Sequence, residues 1–186
     1  MGVEEEYEKR ARTLQARICS LVPPTTEDLF SELRKSLRDA FDDGKLTTKP
    51  HEIFKILKKS PISRGEMEIV GGEKNFHRSL NKAHFTRADG AWFDFAITVA
   101  RTCDGKSLAL VAYDFEIRFP EHVSPAFIRF DLNPPGHDNE TIGLRSHLHP
   151  GSDDLSVPSP SMSPLEILDV FLHGLVLPEN PRAPSS

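Results

Sequence analysis

The run Trp92–Arg101 (WFDFAITVAR), the Asp104-Gly105 step after it and the return over 106–119 constrain this chain more than any other feature. An Asp-Gly step between two β-prone runs signals a tight hairpin, because both central residues of that turn take positive φ. Shorter strands are expected at 66–70, ended by Gly71-Gly72, at 126–132, closed by Pro134-Pro135-Gly136, and at 142–149, stopped by Pro150-Gly151. Neighbouring strands joined by such turns imply an antiparallel sheet.

Helices are expected on either side of it. Tyr7, Ala11, Leu14, Ile18 and Leu21 share one helical face, ended by Pro23-Pro24. Thr25 or Thr26 can cap a second helix whose buried face is Leu29, Phe30, Leu33, Leu37 and Phe41, with Gly44 as its end. A third starts near Pro50, carries Ile53, Phe54, Ile56 and Leu57, and runs to Ser60-Pro61. Ser163-Pro164-Leu165-Glu166 has the form of a capping box opening a closing helix to Gly174. The expected fold is thus one α+β domain over 1–177: a helical front over 1–60, a curved antiparallel sheet over 63–150 and a closing helix over 163–175. A flexible proline- and serine-rich tail follows at 178–186.

Composition bears on function mainly by exclusion. With 38% hydrophobic and 27% charged residues the chain can bury a core and does not resemble a disordered one. No apolar stretch suits a membrane span, and the charged N-terminus lacks a signal-peptide core, so no membrane partner is expected. Cys19 and Cys103 make no disulfide framework, which suits a cytoplasmic location. The net charge of −5 argues against a generally basic nucleic-acid binder. That charge is uneven, however: residues 126–186 hold 3 basic against 8 acidic side chains. Residues 74–87 instead carry Lys74, Arg78, Lys82 and Arg87 with no acid, interleaved with Phe76, His77, His84 and Phe85. Such a patch can grip phosphate and stack on bases. The plainer reading is a solvated segment with its phenylalanines in the core.

Residues two apart on a strand share a face. One face of 126–132 carries Arg129 and Asp131, and one face of 142–149 carries Arg145, His147 and His149. If the two strands pair with their aliphatic faces inward, these five residues gather on the other side. Asp114, Glu116 and Arg118 add to them, and His137 lies in the intervening loop. Three chemistries could use that set. Metal-free RNA cleavage would take a histidine base and a histidine acid, with Arg129 and Arg145 on the pentavalent phosphate. Alternatively His147, His149 and Asp131 (or His137) chelate a divalent metal that activates water. A restriction-nuclease-type carboxylate site of Asp94, Asp114 and Glu116 ranks last, because Arg118 stands where a lysine is expected. Against all three stands an arginine–aspartate ladder with bystander histidines. His51 and His173 read as surface or interface residues on helices, and His122 as part of a Pro-flanked turn. Asp153-Asp154 could be a turn, a cap or extra metal ligands, with a turn the default.

The segments Arg129-Phe130-Asp131-Leu132-Asn133-Pro134-Pro135-Gly136-His137 and Arg145-Ser146-His147-Leu148-His149-Pro150-Gly151 resemble TumE-like proteins, small toxins of bacterial toxin–antitoxin loci. Pro158, Pro160 and the helix from Ser163 continue the pattern, so the likeness covers about 110–175. A similar ending occurs in larger bacterial proteins linked to phage defence. The chain departs from the family in offering one histidine at Gly136-His137 and in its long helical front. The resemblance implies a nucleic-acid-directed, RNA-cleaving toxin or antiviral defence effector, held by an antitoxin or defence-complex protein. A non-catalytic interaction subunit of such a complex is the competing expectation.

Overall fold

The computed structural model describes residues 21–62, 65–74, 77–102 and 105–178. The first expected helix apart from Leu21, both cysteines, Phe76 and the tail beyond 178 lie outside them. Helix α1 (Thr26–Asp42) starts where Thr25 Oγ1 accepts the Asp28 amide at 3.1 Å, and Glu27 and Asp28 complement its positive end. Its buried stripe is Leu29, Leu33, Leu37 and Ala40, while Phe30 and Phe41 are only partly covered. Gly44, at φ +69°, releases the chain. Helix α2 (Pro50–Ile56) has proline in its first turn, and Glu52 accepts the Lys49 amide at 3.0 Å.

The third expected helix is shorter than its sequence suggests. It ends at Ile56, and Leu57–Pro61 forms strand β1, because residues 57–61 pair antiparallel with β2 (Glu66–Gly71). Phe54, one of the apolar residues that the helix carries, is 54% exposed. Strand β3 (Phe85–Thr86) continues the line of β2 along the start of β4 (Trp92–Arg101). Strand β4 pairs with β5 (Leu108–Arg118) through a bulge in which Val99 opposes Leu110 and Thr98 opposes Ala112, leaving Val111 unmatched.

Strand β6 (Phe127–Leu132) is followed by one helical turn, α3 (Asp138–Thr141), and β7 (Ser146–Pro150). The last strand therefore starts later than expected: Gly143 takes φ +75° and Ile142 is 68% exposed, so neither belongs to a core-facing strand. With β8 (Val157–Pro158), the described residues build an eight-stranded antiparallel sheet in the order β1-β2-β4-β5-β6-β7-β8, with β3 on β4. Ser163 caps α4 (Pro164–Asp169), which continues as a π-helical turn over Val170–Gly174. The architecture is mixed α+β, as expected, with the curled sheet not closed into a barrel.

One face of the sheet is aromatic. Phe95 stacks on Phe115 with centroids 4.8 Å apart, and Phe171 from the C-terminal turn meets Phe93, Phe115 and Phe130 edge-on or tilted. Leu29, Leu33, Leu37, Ile53, Ile167 and Leu168 join the same cluster, so the helices cover this face. The opposite face carries the charged residues.

Candidate functional site

Strand register sets the charged face in rows. One row runs Asp114, Asp131, His147; the next runs Asp94, Glu116, Arg129, His149. The hairpin pairing of β6 with β7 and the gathering of Asp131, His147 and His149 follow the expected parity. The face is not open to water: Asp94, Glu116, Arg118, His147 and His149 are all at most 4% exposed. Buried charges need partners, and these have them.

Asp131 Oδ2 is the hub. It accepts from Arg129 Nε at 3.0 Å and lies 3.2 Å from His149 Nε2 and 3.4 Å from His147 Nε2. The two imidazoles meet edge to face, 4.9 Å between centroids. His149 Nδ1 donates to the Ser152 carbonyl at 3.3 Å. Asp131 Oδ1 and His147 Nδ1 are buried with no hydrogen-bond partner among the described residues. One ligand atom each from Asp131, His147 and His149 can lie within 4.8 Å of one another, so these three could hold a metal ion.

The second row is an ion-pair lattice. Arg118 donates to Glu116 at 2.7 Å and to Asp94 at 3.0 Å, and its guanidinium lies 4.4 Å from the Trp92 ring centroid. Arg78 reaches the same Glu116 with Nε at 2.8 Å and Nη2 at 3.0 Å. It packs over Phe127 at 3.7 Å and continues to Asp153. Arg129 Nη1 also holds Asp153, at 2.6 Å. Gly151, at φ +86°, turns the chain after β7 so that Ser152 and Asp153 come back over His149 and Arg129.

Protonation follows these surroundings. Burial holds the His147 imidazolium pKa below its ordinary value; the Asp131 charge opposes this and His149 adds to it. Burial, then repulsion by Asp131, pushes Asp114 up to about 7, with Arg129 opposing. Hydrogen bonding from Arg78 is the main reason that Asp153 lies low, at about 2. A hollow of about 160 Å³ adjoins the cluster, lined by Lys74, Asp114, Glu116, Arg118 and Arg129 among others, and it does not reach the histidines.

Two expected members stand apart. Arg145 precedes β7, and its guanidinium donates to the Asn133 carbonyl at 3.2 Å and the Val111 carbonyl at 3.4 Å rather than joining the histidines. His137 caps α3, its Nδ1 accepting the Asn139 amide at 3.2 Å, and is exposed. The cations of 74–87 do not form one patch. Lys74 pairs with Glu68, Lys82 with Glu73, and Arg87 is buried against Asp89 and the Phe171 and Leu175 carbonyls. Phe85 is in the core. Asp153, for which a turn is the default reading, instead holds Arg78 and Arg129 across the fold.

No protein-family model matches the chain, and no curated protein or solved structure is similar enough to count as a match. Among the described residues no helix is long and apolar enough to cross a membrane.

Proposed function

We propose that this protein is a nuclease-type phosphodiesterase, directed at RNA, that serves as the toxin or effector of a bacterial toxin–antitoxin or phage-defence system. The observation that carries the reading is the convergence of His147 Nε2 and His149 Nε2 on Asp131 Oδ2, with Arg129 on the same oxygen. Imidazoles beside a carboxylate can relay the proton of an attacking hydroxyl or hold a divalent cation that activates water. A guanidinium can balance charge on a pentavalent phosphate. The TumE-like pattern around these residues supports RNA as substrate, a cognate antitoxin or defence protein as partner and the cytoplasm as location.

The test is incubation of the pure full chain with end-labelled RNA and DNA, with and without EDTA. Cleavage of RNA by the wild type and its loss in His147→Ala/His149→Ala are expected. Cleavage or growth arrest unchanged in a folded double variant overturns the reading.

One observation favours the non-catalytic alternative: Lys74, Arg78, Lys82 and Arg87 are all paired with acids of their own chain, and the histidines are buried. An interaction subunit would co-purify with its partner, show no turnover and keep binding when both histidines are removed.

A further inference from the structure

Three donor atoms facing one point raise the question of what they share. His149 Nδ1 faces the Ser152 carbonyl, which can only accept, so Nδ1 carries the ring proton. In the neutral ring, Nε2 then directs a lone pair at Asp131 Oδ2, 3.2 Å away, itself an acceptor. His147 Nε2 looks at the same oxygen from 3.4 Å. Acceptors packed together out of water are costly unless a cation or proton lies between them.

A second observation comes from the charges on this face. Asp94, Asp114, Glu116, Asp131 and Asp153 face Arg78, Arg118 and Arg129, five carboxylates against three guanidiniums. Acidic side chains therefore outnumber guanidiniums around Asp131. A third lies in Asp131 itself: Oδ1 is buried and has no hydrogen-bond partner among the described residues.

We infer that Asp131, His147 and His149 form a binding site for one divalent transition-metal ion, of the zinc, manganese or iron(II) kind. Two imidazole nitrogens and one carboxylate oxygen suit such ions, whereas magnesium and calcium prefer sites made of oxygen alone. The Ser152 carbonyl is the outer partner that fixes the His149 tautomer, as carbonyls do for metal-binding imidazoles. Three protein ligands leave coordination positions for water or substrate. Arg129, also held by Asp153 and Glu116, has carboxylates to turn to when the ion takes Asp131 Oδ2. This inference deepens the phosphodiesterase reading by naming the ion at its site, but the site would bind metal with or without RNA cleavage.

The experiment uses the full chain, stripped with EDTA and dialysed. Titration with cobalt(II) chloride is expected to give visible absorption distinct from the aqueous ion, saturating at one equivalent. Zinc or manganese chloride raises Tm in proportion to the logarithm of its concentration once the site is filled, and magnesium chloride does not. His147→Ala and His149→Ala each lose the cobalt spectrum and the shift. Should these variants fail to fold by circular dichroism, the wild-type cobalt spectrum still decides. No saturable cobalt spectrum in the wild type, or a spectrum retained in a folded double variant, overturns the inference. RNA cleavage is assayed separately: metal binding without cleavage leaves this site standing and removes the nuclease, and EDTA-resistant cleavage without metal binding does the reverse.

Discussion

Arg78 and Asp153 lie 75 positions apart in sequence and meet in a two-pronged pair, Nη1 to Oδ2 at 3.0 Å and Nη2 to Oδ1 at 2.8 Å. Arg78 holds φ +50°, a conformation that costs a non-glycine residue roughly 1 kcal/mol or more. The loop before β3 is thereby tied to the turn after β7, across the row that ends in His149. Asp153→Asn should loosen this tie. The expected result is faster modification of His147 and His149 by diethylpyrocarbonate, read by mass spectrometry, with a stability loss under about 1 kcal/mol because Asp153 is half exposed. Unchanged modification rates would show that the tie does not shield the histidines.

The same pair predicts an acid response. Asp153 sits at about 2 in the folded protein, against an ordinary carboxylate value near 3.8. Its contribution to stability is therefore complete above the unfolded value and disappears as pH falls from about 4 to about 2. Urea midpoints for wild type and Asp153→Asn should differ at pH 6 and converge near pH 2.

Asp114 predicts the opposite slope. It faces Asp131, Glu116 and Asp94, with Arg129 as its counter-charge, and titrates at about 7. The folded state therefore binds the proton more tightly than the unfolded one, and stability falls as pH rises from about 4 to about 7. Asp114→Asn should raise Tm at pH 8 and do little at pH 4. A variant that melts lower at pH 8 would mean that the Asp114 charge is needed where it stands.

Arg87 and Lys82 separate structure from nucleic-acid contact within 74–87. Arg87 is 7% exposed and donates to the Phe171 carbonyl at 2.5 Å and the Leu175 carbonyl at 2.6 Å. Arg87→Ala leaves those carbonyls without their donor and should cost about 2–3 kcal/mol, seen as a lower urea midpoint. Lys82 is 59% exposed and pairs with Glu73, so Lys82→Ala should leave stability within about 0.5 kcal/mol. If the segment grips RNA, Lys82→Ala weakens binding and lowers the salt slope by about one.

Gly71 gives a packing test. A Cβ there would meet the ring of Phe95 and come within 2.8 Å of Phe85 Cε2, both fixed in the core. Gly71→Ala should cost about 1–3 kcal/mol, a Tm drop of roughly 2–4 °C for each kcal/mol.

Local chemistry explains which of these features could be read in advance. Trp92–Arg101 is bounded as its sequence suggests, and Ser163 caps α4 with Glu166 in the expected reciprocal bond, because both signals lie within a few residues. Leu57–Pro61 carries no alternating pattern, and its strand state is set by pairing with Glu66–Gly71. Parity found Asp131, His147 and His149 but overreached at Arg145: period two holds only along a strand, and β7 begins one residue later. The carbonyl of Val111 that Arg145 finds lies at a bulge that no period reveals. A loop residue such as Asp153 gives no local sign of which guanidiniums it will meet across the fold.

The order in which the donors enter the chain has a consequence for synthesis. Asp131 comes from β6, but both imidazoles come from β7, whose last residue is Pro150. On the ribosome, a nascent chain that has delivered the first three helices and the first six strands still holds only one of the three donors. The cluster is therefore assembled only once β7 has emerged and paired, and a chain interrupted before that point lacks both imidazoles.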